Sequence, residues 1–300
     1  MARVAAALNA PSDGHVSIST HAGMHSSEPQ SERALERCAG NFGRVAARMF
    51  ELEQESGVRV VLGVEPEPRS SANDSERWSE HAPRELEVAA QSAGMAPERV
   101  ARHLGLCLDA CHASVEFEDL DRAAARACSV GRPLAKFQFS SALRLPHPGA
   151  DPTGRGRLLA LDEPTFLHQV TARRPDGGLE RVGDLAELAP LAGQTPWIDA
   201  LEWRCHFHVP VDLEGPLEEG AGLGTTVSDA DALARRLLAQ PRLWGARDLH
   251  LEIETYTWSV LDRSLLDRAT RGQGVLVDGL EREYRHVLAL LEAEGWGPAA

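Results

Sequence analysis

Six β-rich runs constrain the fold most. They are "HVSIST" (15–20), "VRVVLGVEPEP" (58–68), "LGLCLDA" (104–110), "LAKFQFSSAL" (134–143), "EWRCHFHVPV" (202–211) and "LHLEIETYTW" (249–258). Several are apolar without strict alternation. A strand with one wet face alternates; a strand covered on both faces does not. Helix-like segments separate the runs. The longest, "SERALERCAGNFGRVAARMFELEQES" (31–56), is amphipathic, with Ser31 placed to cap it. Weaker segments lie at 84–103, 119–130 and 229–240, and "VDGLEREYRHVLALLEAEGW" (277–296) closes the pattern. Strands alternating with helices at this spacing predict an α/β fold built on a parallel sheet.

Residues 151–195 break the rhythm. "LHQVTARR" and "LERVGDL" flank Pro175-Asp176-Gly177-Gly178, which predicts a β-hairpin inserted between two strand–helix units. "EPRSSANDSERWSEHAP" (67–83) reads as a polar loop, and "WSEHAPRELEVAA", from Trp78, starts the following helix. There is no tandem repeat, and the reading is one domain over 1–300.

The chain has 300 residues, 43% of them apolar, enough for a sizeable core. The formal net charge is -14 and the pI about 5.3. Such a surface repels phosphodiesters, which argues against nucleic acid and for a small-molecule partner. No apolar run approaches the length of a membrane span. The start, "MARVAAALNAPSDG", has too short an apolar stretch for a secretory signal. The expected compartment is the cytoplasm. The five cysteines, Cys38, Cys107, Cys111, Cys128 and Cys205, are odd in number and scattered, which argues against a disulfide framework. Cys107-x-x-x-Cys111 could supply soft metal ligands, but no second cysteine pair completes a zinc site, so small buried thiols on a core strand are the main reading.

Polar residues gather at the strand ends. The second run ends in Glu65-Pro66-Glu67-Pro68, the third in Asp109-x-x-His112. The fourth carries Lys136, Gln138 and Ser140 on one face, the fifth His206 and His208, the sixth Glu252 and Glu254. An unpaired buried carboxylate is costly, so this recurrence calls for a partner. A divalent cation (Mn, Co, Fe, Mg or Zn) suits a mixed carboxylate and imidazole shell. Pro66 and Pro68 keep the preceding residues extended, so Glu65 and Glu67 share a side, with Glu65 the deeper. Taken singly, each residue also fits an ordinary solvated, capping or ion-paired role.

With these residues assembled, the chain resembles the xylose-isomerase-like TIM-barrel superfamily of metal-dependent sugar isomerases and epimerases. More narrowly, it resembles EboE-type metabolite traffic proteins. The matching stretches are "SIST" (17–20), "GVEPEP" (63–68), "LCLDACHASVEFED" (106–119), "FLHQV" (166–170), "CHFHVPV" (205–211) and "HLEIETYTWSVL" (250–261). The resemblance implies a (β/α) barrel with one divalent metal at its mouth, held by Glu65, Asp109, His206 or His208, and Glu254. Gln138 is a further candidate for the imidazole's place. It implies that Glu65 and Glu254 exchange a proton with a hydroxy-carbonyl metabolite through an ene-diolate, with His112 contacting substrate or supporting the shell. Arg69, Arg144 and Arg204 are candidate anchors for an anionic group. Trp203, Tyr256 and Trp258 are candidates for a pocket wall or for core packing. The family has eight strands and this chain shows six, so it reads as an N-terminally truncated barrel with exposed sheet edges.

Two other readings compete. One is a metabolite-binding or scaffold protein of an export system, with other proteins of that system as partners and no turnover. The other is a Schiff-base aldolase using Lys136, the only lysine in the chain.

Overall fold

The computed structural model describes residues 14–28, 31–127, 131–217, 222–259 and 276–297. Cys128 and most of the opening stretch read for a signal lie outside them. The chain divides into two compact units. One holds the residues up to Asp109, Glu118–Gln138 and Arg236–Glu252; the other holds Ala110–Phe117, Phe139–Arg235 and the residues from Ile253 onward.

The first unit is the α/β part. Its five-stranded sheet runs in the order Val16–His21, Val60–Glu65, Leu104–Asp109, Leu134–Phe139 and Leu251–Ile253, and the first four strands pair parallel. Leu104–Asp109 and Leu134–Phe139 are buried at every position, as unalternating runs require. The sheet curls: Ser17 Oγ, from one edge strand, lies 2.6 Å from Nδ1 of His250, which leads into the other. Five strands do not complete a barrel among the described residues.

The helix Glu32–Ser56 starts where expected, with Ser31 accepting from the Ala34 amide at 3.2 Å. It ends at Gly57, whose φ of 73° is readily adopted by glycine. It packs on the helix Ser75–Ala93, and the crossing is close. A Cβ on Gly43 would stand 2.1 Å from the Ala89 carbonyl oxygen. The second helix begins at Ser75, three residues ahead of the start expected at Trp78 and ahead of the weaker segment from 84, because Asp74 caps it by accepting from the Arg77 amide at 2.8 Å. Part of the expected loop is therefore helical.

The second unit is built on an antiparallel sheet, in the order Leu179–Val182, Val170–Arg173, Glu202–Cys205, Leu143–Pro146 and Gly224–Thr225. Here the expectation of a parallel strand over 202–211 is corrected. Only Glu202–Cys205 is strand, and it pairs antiparallel on both sides. The run "LAKFQFSSAL" also splits, and Leu143 begins a strand of this second sheet. The predicted hairpin is present, with Arg174 accepting from Gly177 at 3.0 Å and Gly177 at φ 83°. It is two strands of a larger sheet rather than an insertion. Leu143, Leu145, Val170, Trp203 and Cys205 form part of this sheet's core.

Candidate metal centre

The helix Ala110–Val115 carries Cys111 and His112, both buried. The Cys111 amide donates to Ser140 Oγ at 2.8 Å, which fixes the start of that helix. His206 and His208 follow the strand Glu202–Cys205 in chain that is neither helix nor strand, and both are buried. Residue 206 is held three ways. Its amide donates to the Gln169 carbonyl at 2.8 Å, its carbonyl lies 3.2 Å from His168 Nδ1, and its ring Nδ1 lies 2.7 Å from Gln169 Oε1.

These supports gather three imidazoles in the second unit. His206 Nε2 lies 3.0 Å from His112 Nε2 and 3.0 Å from His208 Nε2. The Tyr256 hydroxyl stands 3.4 Å from the same nitrogen, and its ring stacks on His208 with centroids 4.5 Å apart. His208 Nδ1 lies 3.3 Å from the Glu254 carbonyl. A carbonyl oxygen only accepts, so the Nδ1 atoms of His206 and His208 carry the hydrogens. Each ring then turns an Nε2 lone pair toward the other. Two lone pairs at 3.0 Å repel unless a proton or a cation lies between them. An imidazole whose Nδ1–H is tied to an oxygen while Nε2 faces a shared point has the arrangement of a metal ligand. Cys111 Sγ belongs to the same grouping: it and one nitrogen of each of His206 and His208 all lie within 4.8 Å of one another. These buried groups could hold a metal ion.

In the first unit, Glu65 and Asp109 sit at the carboxyl ends of their strands, as predicted. They bring one carboxylate oxygen each to within 4.8 Å of the other. Glu254 belongs to the second unit, just past Leu251–Ile253. Gln138 Oε1 accepts from the Cys107 thiol at 2.9 Å, so Cys107 has a structural role. Glu67 lies 3.5 Å from His21.

Other residues singled out by sequence have internal partners. Lys136 is buried and forms an ion pair with Glu252, with Ser19 Oγ 3.5 Å from its ammonium. Arg144 and Arg204 both pair with Glu202, at 2.5 and 2.6 Å. Burial works to raise the Glu202 carboxyl, but Arg204 and Arg144 together bring it below the usual range. Arg204 also reaches Asp229 at 2.9 Å. Arg69 is buried, with its amide on Asn73 Oδ1 at 2.8 Å. Trp203 is core, its indole N–H donating to the Trp197 carbonyl at 2.9 Å, and Trp258 donates to Glu283 at 3.1 Å. Of the three aromatics, Tyr256 is the one beside the imidazoles.

The sequence reading missed Gln169, and weighed Cys111 as a soft ligand only beside Cys107, not beside His206 and His208. Cys111 directly precedes His112 on one short helix, and Gln169 stands in "FLHQV"; neither carries a spacing signal toward residues 206–208. No protein-family model, curated protein or solved structure matches this chain.

Proposed function

We propose that this protein binds one divalent cation through its clustered histidines and uses it to isomerise or epimerise a hydroxy-carbonyl metabolite. The observation that carries the reading is the opposed pair of Nε2 atoms of His206 and His208, each ring anchored through Nδ1 on an oxygen. Glu65 and Glu254 enter the proposal as acid–base groups rather than as ligands of this cation, on the strength of their strand-end positions and of the resemblance to xylose-isomerase-like barrels. The same resemblance makes metabolite traffic, alongside other proteins of an export system, the proposed setting.

The cation, when bound, would supply a Lewis acid for the adjacent oxygens of the substrate. The chain supplies the rest. Glu65 and Glu254 are assigned the proton exchange at the carbon beside the carbonyl, one removing and the other returning it. His112 is assigned to orient a substrate hydroxyl. The Tyr256 ring supplies an apolar wall beside His208.

Exchange of substrate carbon-bound hydrogen with solvent deuterium tests this. A panel of hydroxy-ketones and hydroxy-aldehydes is incubated in heavy water with protein reconstituted with Mn, Co or Zn. The expected result is exchange with at least one compound, lost in Glu65→Gln and in Glu254→Gln. Metal bound but no exchange with any compound would overturn the enzymatic reading and leave a metabolite-binding protein.

A further inference from the structure

We propose that Cys111 is a ligand of this same cation, which makes the centre a sulfur-and-nitrogen site built for zinc rather than for a hard ion such as magnesium. The inference rests on the reading that His206 and His208 bind the metal, and it narrows which metal that is.

Three observations carry it. Cys111 is fully buried, and its sulfur is grouped with one nitrogen from each of His206 and His208 within 4.8 Å. Its backbone is fixed by the Ser140 hydroxyl, so the thiol is placed by the fold rather than by a mobile loop. The two imidazoles are oriented by oxygens on their far nitrogens, which leaves both Nε2 lone pairs toward the shared point. Donor chemistry then selects the ion. Thiolate and imidazole are soft and borderline donors that suit zinc, whereas magnesium takes oxygen ligands in near-octahedral geometry. Three protein donors and one remaining position is the pattern of a catalytic zinc site. In forming the site the Cys111 S–H bond breaks, the proton passes to solvent and the S–metal bond forms; nothing is oxidised or reduced. Cys107 lies on the strand Leu104–Asp109 and donates its thiol hydrogen to Gln138 Oε1 at 2.9 Å; it is Cys111 that is grouped with His206 and His208.

Cobalt(II) is the probe, because its spectrum reports binding and sulfur ligation separately. The full chain is stripped of metal and titrated with cobalt(II), then back-titrated with zinc. The parent is expected to show the visible bands of four-coordinate cobalt together with a near-ultraviolet thiolate-to-cobalt charge-transfer band, both removed by zinc and neither by magnesium. Cys111→Ser should keep visible bands, lose the charge-transfer band and bind zinc at least about tenfold more weakly. A variant with Cys38, Cys107, Cys128 and Cys205 replaced by Ser should keep the charge-transfer band. If Cys111→Ser does not fold, alkylation of the parent decides instead. Zinc should slow modification of Cys111, mapped by mass spectrometry, and leave the other thiols unchanged. Visible cobalt bands without a charge-transfer band, or zinc-independent alkylation of Cys111, would overturn the sulfur ligand while the histidine site stands. No cobalt bands at all would overturn both.

Discussion

At the scale of single residues, two side chains make sharp predictions. Gln169 touches no proposed substrate, yet its Oε1 holds the His206 ring at 2.7 Å. Gln169→Leu removes that acceptor and frees both tautomer and rotamer, so zinc affinity should fall about 10–100-fold with the fold retained. Isothermal titration beside a circular dichroism spectrum checks this; unchanged affinity would contradict it. Glu118 belongs to the first unit, where its carboxylate accepts from the Ser75 amide at 3.2 Å. Desolvation pushes it up to about 7, against the bonds from Ser75. Below an unfolded value near 4.5 both states hold the proton. As pH rises, the unfolded chain ionises first, so the stability present at low pH is lost by the time the pH passes about 7. The loss amounts to about 3 kcal/mol. Glu118→Gln should therefore gain on the parent in urea melts between pH 5 and pH 8. A constant difference across that range would rule the account out.

At the scale of elements, the close packing of the first unit's two long helices depends on Gly43. A methyl group at that position has no room against the Ala89 carbonyl, so Gly43→Ala should cost about 1–3 kcal/mol despite alanine's better helix propensity. A rise in stability would mean that the helices separate without cost. The elements also show what the chain reveals by itself. Strands buried on both faces were legible because they lack alternation, and Glu65 and Asp109 were legible because they end such strands. The hairpin was legible from Pro175 to Gly178, whose turn chemistry is local. The run 202–211 was misread because "EWRCHFHVPV" is equally apolar for a parallel or an antiparallel partner. What decides is pairing with Leu143–Pro146 and Val170–Arg173, both distant in sequence. Asp74 was missed as a cap because it sits in a stretch of polar residues that all suit a loop.

At the scale of the whole molecule, no helix among the described residues is long and apolar enough to cross a membrane. A cation bound by the folded chain and not by the unfolded one raises stability by about 2.7 kcal/mol at a hundred times its dissociation constant. For a chain of this length that corresponds to a melting shift of about 5 °C. Chelation of the purified protein should lower the melting temperature by that order, and zinc should restore it; a melt indifferent to both would argue against a structural share for the cation. The most direct measurement is elemental analysis of the purified full chain beside His206→Ala/His208→Ala. The parent should hold about one equivalent of a transition metal or zinc, and the variant none. A parent that holds no metal even after reconstitution, or a variant that keeps its equivalent, would contradict a metal centre at these histidines.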